Sequence, residues 1–322
     1  MKNPMVFGVL TSCLFLACSP ISDSGPGSFG GSPNGSGGTL ATGGIIEPYD
    51  SGVTIDDISV PDSGVVVNNH PKCSNPDPCA CIRVGTIGIA GTWGNGNLFK
   101  SWLAAAKDAF QDLGDQVLTP DLLSDFQIII SQDLHNNCPS CPPPDTAGPV
   151  HLYTDAEIKA LQDWIHQGNG FFSLVGYWGV PTAELTNINR IYAPIGLSYD
   201  ETPILPTDSS KPSLPITSWF SYPDTAVITD GITAVGFNNG YPVAGSGNCL
   251  AKGSDANDTY CLLRTATYGT GHVVAWGDEW ITYDSDWTRN TDYQVGQFWQ
   301  NIMQYVSPVP NCKSIVPDTI VR

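Results

Sequence analysis

Basic side chains are scarce in this chain. Lys and Arg number 13 against 31 Asp and Glu, a formal charge of −18 over 322 residues. A surface that negative repels nucleic-acid phosphates and anionic lipid headgroups, so neither is an expected partner. No apolar run reaches the roughly 18 residues that a membrane-spanning helix needs. The Gly-rich stretch GTWGNGN at 91–97 is not GxGxxG, and no Walker lysine follows it, so a nucleotide phosphate site has no motif behind it. Cys138 and Cys141 have CxxC spacing, but no second ligand pair accompanies them as a zinc knuckle requires. Their setting, NNCPSCPPPD, leaves no helix to follow, which removes the thioredoxin-like redox reading.

What the N-terminus does contain reads as an export signal. Lys2 precedes a mostly apolar run at 6–17, long enough for a signal peptide and too short to span a bilayer. The run ends FLACS, with Ala17 directly before Cys18. This resembles the lipobox of bacterial lipoproteins, which implies cleavage after residue 17 and palmitate-type acylation of Cys18; two or more acyl chains give stable anchoring. Ser19 resembles an outer-membrane sorting address. Residues 18–69 then read as a tether. Gly and Ser dominate its first part, acidic turn-rich pieces its second, and no Lys or Arg occurs at 19–70. Such composition cannot bury enough apolar surface to offset chain ordering. Contact with the membrane is expected through the lipid anchor alone.

Ten cysteines less Cys13 in the signal and Cys18 at the anchor leave eight, an even number suited to disulfides in an oxidising compartment. Cys249 and Cys261 flank the polar loop LAKGSDANDTY and are expected to form a hairpin clasp. Cys79 and Cys81, only two apart, are expected to pair outward, one of them with Cys312.

Residues 70–322 are enough for one large domain. Strand-like runs occur at 83–90, 116–119, 126–131 and 171–175, and amphipathic helical spacing at 98–113 and 155–166. Thr154 with Glu157 three residues on forms a capping-box signature. Further on, a helix interrupted at Pro194 is expected over 187–197, a long loop over 200–223, short strands over 232–237, 261–266 and 272–276, and a closing helix over 292–305. The alternation predicts an α/β fold, an open parallel sheet with helices on both faces and a more β-rich C-terminal part.

The phrase TDAEIKALQDWIHQGNGFFSLVG, together with GTGHVVAWGD at 269–278, resembles the class I glutamine amidotransferase-like superfamily, in particular its trehalose-utilisation-like branch. The resemblance spans about residues 82–305 and implies a flavodoxin-like sheet. Active members carry a nucleophilic cysteine on a tight strand-to-helix turn, activated by later His and acidic residues. The matching turn here is LVGYWG at 174–179, with Tyr177 or Trp178 at the nucleophile position, so no catalytic residue is carried over.

Ligands of such sheets collect beyond the C-terminal strand ends. The loops expected there bring Trp93 and Asn95, Asp133 and His135, Tyr177 and Trp178, and Asp278 and Glu279. Aromatic plates beside carboxylates and amides suit a sugar ring. The expectation is therefore a non-catalytic domain binding a glycan or an envelope protein. The alternative is a hydrolase of glycans or amides using Asp133, His135, Asp278 or Glu279. No cofactor is expected and no metal site is assigned; of the metal ions, Ca2+ best suits the oxygen-rich loop carrying Asp278, Glu279, Asp284 and Asp286.

Overall fold

The three consecutive isoleucines at 128–130 set the architecture, because a strand buried on both faces must be apolar on both. A computed structural model describes residues 78–88, 96–105, 110–132, 134–137, 147–175, 182–204, 214–238, 240–254, 259–288, 292–310 and 312, all within the unit Asp62–Arg322. The first half runs β1 (Val84–Ile87), α1 (Asn97–Ala105), β2 (Phe110–Gly114), α2 (Pro120–Leu123), β3 (Ile128–Ser131), β4 (His135–Asn137), β5 (Ala147–Val150), α3 (Asp155–His166), β6 (Gly170–Leu174) and α4 (Thr182–Tyr192). The second adds β7 (Leu197–Tyr199), β8 (Leu214–Ile216), β9 (Ser218–Trp219), α5 (Ala226–Thr229), β10 (Val235–Phe237), β11 (Val243–Gly245), β12 (Asn248–Ser254), β13 (Thr259–Tyr268), β14 (Gly271–Trp276), α6 (Asp284–Thr288) and α7 (Val295–Val306).

An eight-stranded sheet in the order β2-β1-β3-β6-β14-β13-β12-β9 forms the centre of a mixed α/β fold. Its first five strands are mutually parallel. The last three extend it antiparallel, giving the β-rich C-terminal part. Numbered along the chain, the parallel strands lie in the order 2-1-3-4-5. The winding direction therefore reverses between β1 and β3, and crevices open at such reversals.

Alternation along the strands divides the core between two faces. Ile128, Ile130, Phe172, Leu174, Val274 and Trp276 pack with Phe99 and Trp102 of α1 and with Phe298, Trp299 and Ile302 of α7. Ile129, Phe171, Val273 and Ala275 pack with Leu161 and Ile165 of α3 and with Ile188 and Tyr192 of α4. Each such large side chain contributes about 1.5–3 kcal/mol on burial. The capping box at α3 is present, with Glu157 N bonded to Thr154 Oγ1 and Thr154 N bonded to Glu157 Oε2 at 2.9 Å.

Several element boundaries depart from the sequence reading. The helix expected over 98–113 ends at Ala105 among the described residues, and Phe110–Gly114 is instead edge strand β2. Pairing with β1 overrides the helical spacing there. Residues 116–119 form no ladder; they lead to Thr119, whose hydroxyl caps α2. The helix expected over 187–197 starts earlier, at Thr182; its expected interruption at Pro194 is present as a 3-10 turn at Ala193–Ile195, because Pro194 has no N–H to continue an α-helix. Within the loop expected over 200–223 lie β8 and β9, held by pairing to β10 and β12.

Cys249 and Cys261 are bonded, with Cα atoms 5.8 Å apart. Cys79 is bonded to Cys312 across 233 residues, tying the two ends of the described domain together. Cys81 is also disulfide-bonded. Cys18, Cys73, Cys138 and Cys141 lie outside the described residues.

Candidate functional site

The C-terminal ends of β3, β6 and β14 sit side by side, since Ser131 is in register with Ser173 and Trp276 with Leu174. Beyond them lies a cluster of buried polar side chains: Gln132, Asp278, Glu279, Thr282 and Asp286, each no more than 2 % exposed. The segment after β14 builds most of it. Gly277 is the entry to that segment, and its backbone accepts a 2.6 Å bond from Tyr241 N. A Cβ at Gly277 would stand 1.9 Å from Tyr241 O, so only glycine allows the two backbones to approach.

Asp278 then turns inward. Its Oδ1 accepts from Trp280 N at 3.0 Å and its Oδ2 from Asn238 N, which ties the end of β14 to the end of β10. Burial lifts its pKa well above the ordinary carboxylate value, outweighing the backbone N–H groups that pull it down; the nearby Asp286 adds to the rise. Glu279 accepts from Tyr283 OH at 2.7 Å through Oε1, and its carbonyl accepts from Thr282 Oγ1 at 2.8 Å. Asp286 faces Gly236, where an added Cβ would lie 2.2 Å from Oδ2. Among the described residues no group of three or more His, Cys, Asp or Glu could hold a metal ion.

Gln132 enters the cluster from the end of β3. Its Nε2 donates to Thr282 Oγ1 at 3.1 Å, while its Oε1 is buried with no hydrogen-bond partner. The residue follows β3, one of the two strands that border the winding reversal. Its backbone N–H is fixed by Ile87 O at 3.1 Å, which ties the end of β3 to the end of β1, while its side chain reaches the segment after β14.

Asp284 Oδ1 accepts from Leu98 N at 2.8 Å, in the first turn of α1. Helix N-termini in doubly wound folds receive ligand phosphates; here a carboxylate of the chain itself takes that place. An anionic ligand at α1 would meet this charge directly.

On the α3–α4 face, Ser173 lies under two tyrosines. Its Oγ bonds Tyr192 OH and, at 2.6 Å, Tyr199 OH, which in turn reaches Trp276 O at 3.2 Å. Burial drives both phenols well above their ordinary pKa. The trio locks β6 to β14 and holds the strand ends in place. His272 is likewise structural, bonded through Nδ1 to Tyr305 O at 2.7 Å and stacked on that ring.

Of the residues singled out by sequence, Asp278 and Glu279 come together at the end of β14, buried and bonded inward. His135 falls on β4, its backbone paired with Val150. Trp93, Asn95, Asp133, Tyr177 and Trp178 lie outside the described residues. Sequence reasoning gave no individual role to Gln132 or Thr282, and named Asp286 only in the oxygen-rich loop that suits Ca2+. The available signal for Gln132 was a polar residue directly after the apolar run IIIS.

No protein-family model matches the chain, and neither does any curated protein. Solved structures are similar in fold. The mmIFT52 N-terminal domain has a TM-score of 0.52 at 11 % identity, covering 71 % of this chain and 98 % of its own. A cytoplasmic protein from Salmonella typhimurium LT2 has a TM-score of 0.50 at 13 % identity, covering 70 % and 100 %. A ThuA-like protein from Bacteroides uniformis has a TM-score of 0.45 at 10 % identity, covering 72 % and 95 %. What the chain shares with the first two is the fold: helices packed on a large, mainly parallel sheet.

Proposed function

We propose that this chain is the non-catalytic ligand-binding domain of a cell-envelope lipoprotein, taking a glycan in the crevice beyond β1, β3, β6 and β14. The observation that carries the reading is Gln132 Oε1, a buried acceptor without a donor at the strand ends where doubly wound sheets bind ligands. An unmet buried acceptor costs about 1–3 kcal/mol. A ligand hydroxyl or N–H entering beside it removes that cost, and a glycan presents many hydroxyls. The surrounding carboxylates support binding rather than bond cleavage, because both oxygens of Asp278 are engaged by backbone N–H groups. Asp284 on the first turn of α1 favours a neutral occupant over a phosphate.

The finer family reading belongs to the same proposal. The 2-1-3-4-5 order of the parallel strands supports a flavodoxin-like, class I glutamine amidotransferase-like domain. Tyr177 or Trp178 at the expected nucleophile position supports a binding role. Acylated Cys18 and the Gly/Ser-rich stretch to residue 69 would hang the domain from a membrane, the outer membrane by the Ser19 address. A thermal-shift panel on the disulfide-bonded chain tests the function, with Ca2+, EDTA, soluble cell-wall fragments and polysaccharide fragments. A glycan that raises the midpoint of the native chain more than that of Gln132→Leu is the expected result. A flat response to every glycan would remove the proposal in favour of a protein partner, and release of shortened glycan products would establish a hydrolase instead.

A further inference from the structure

Helix α7 carries no charged residue in its twelve positions, VGQFWQNIMQYV. Its buried set covers Val295, Gly296, Phe298, Trp299, Asn301, Ile302, Met303, Tyr305 and Val306, so the three glutamines Gln297, Gln300 and Gln304 are the residues left toward solvent. The exposed face of a surface helix ordinarily carries charge, and in a chain with 31 acidic residues an uncharged stripe is unusual. Gln297, Gln300 and Gln304 are spaced i, i+3 and i+7, which places them along one line.

That line borders a groove of about 370 Å3 between α5 and α7, which Asp230 and Asn301 also line. The groove is held open by a specific network. Asn301 Nδ2 donates to Ile228 O at 3.1 Å and to Asp230 O at 2.8 Å, which fixes the α5 wall. Asn301 Oδ1 accepts from Gln297 Nε2 at 2.7 Å. Thr225, next in the chain to groove-lining Ala226, is fully buried, and its hydroxyl has no partner.

We infer that this groove is a second binding site, separate from the crevice at the strand ends, and that it takes a neutral saccharide. Carboxamides offer a donor pair and an acceptor on one rigid end, matching hydroxyls that both give and accept. Among the described residues the lining carries Asp230 and no basic side chain, which disfavours anions. The volume lies at the lower end of the roughly 300–1,000 Å3 typical of ligand pockets, which suits one or two sugar rings.

The test is calorimetric titration of the full disulfide-bonded chain with cellohexaose, maltohexaose and chitohexaose, and with an oligogalacturonate as the anionic control. Three variants are compared: Gln304→Ala, Gln304→Glu as a same-size change, and Gln132→Leu in the crevice. At least one neutral oligosaccharide should bind. Its affinity should fall about tenfold or more in both glutamine variants, whose melting midpoints stay near that of the native chain, and should be unchanged in Gln132→Leu. The inference is overturned if none of the three neutral oligosaccharides binds, if the oligogalacturonate binds as well as they do, or if affinity follows Gln132 and ignores the glutamines. That last result would leave the crevice proposal standing alone.

Discussion

Gln132 donates to Thr282 across 150 residues of sequence, and the same amide leaves its oxygen buried and unmet. This contact joins the end of β3 to the turn after β14, so one side chain both closes the rim of the sheet and presents an acceptor there. Gln132→Leu keeps the volume and removes the unmet acceptor. Thr282 Oγ1 retains its bond to Glu279 O, so the substitution should leave stability unchanged or raise it by up to about 1 kcal/mol. Gln132→Ala should lower it by about 1–2 kcal/mol by leaving a void. Denaturant midpoints check this; a loss in the leucine variant as large as in the alanine variant would mean that the oxygen is satisfied in solution.

Asp278 gives a pH signature. Its folded pKa is raised well above 3.8, so the folded state holds the proton more tightly than the unfolded chain. Stability from the protonated group is fully present below about pH 3.8 and is lost as pH rises through the folded value. Asp278→Asn cannot titrate and should remove that descending limb. Urea midpoints taken from pH 3.5 upward on both chains measure it, and parallel curves would count against a buried proton at Asp278.

Glu157 should behave in the opposite sense. Burial pushes its pKa up, but the N–H groups of Thr154 and Leu118, with the Thr154 hydroxyl and His151, together hold it below 4.5. Its stabilisation is therefore present above pH 4.5 and lost as pH falls through the lower folded value. Glu157→Gln turns one acceptor into a donor that faces an N–H, at a cost of about 1–3 kcal/mol near neutrality. The gap between the two chains should close progressively below pH 4.5, and a gap constant with pH would show that lost packing is responsible.

The parts of the fold that were legible in sequence are those where local and tertiary preferences agree. Thr154 and Glu157 announce α3, and FFSLV and IIIS announce strands buried on both faces. Phe110–Gly114 was misread because its spacing is helical while its pairing with β1 lies 26 residues away in sequence. The candidate site was legible as a segment, Gly277 to Asp286, but not in its orientation. Acidic residues in a Gly-bearing loop read as solvated, whereas backbone N–H groups of Asn238 and Trp280 draw Asp278 inward. No sequence pattern reveals that Gln132 and Thr282 meet, since only the closure of the sheet brings them together.

Gly277 supplies the sharpest test of how that segment is held. Tyr241 N donates to Gly277 O, Gly277 N donates to Leu262 O at 2.9 Å, and a Cβ at Gly277 would collide with Tyr241 O. Gly240 meets the same backbone from the other side, where a Cβ would lie 2.0 Å from Gly277 O. Neither neighbour is the flexible end of a side chain, so relief requires the backbone at 240–241 to move away. Gly277→Ala should therefore destabilise the chain by about 3 kcal/mol, at the upper end of overpacking costs. Because Asp278 follows directly, the displacement should also break its bond to Asn238 N; that N–H pulls the pKa down, so its loss while Asp278 stays buried should extend the pH limb of Asp278 to higher pH. If the alanine chain loses stability but its limb stays at the pH of the native chain, the bond to Asn238 N has survived and Asp278 is anchored independently of Gly277.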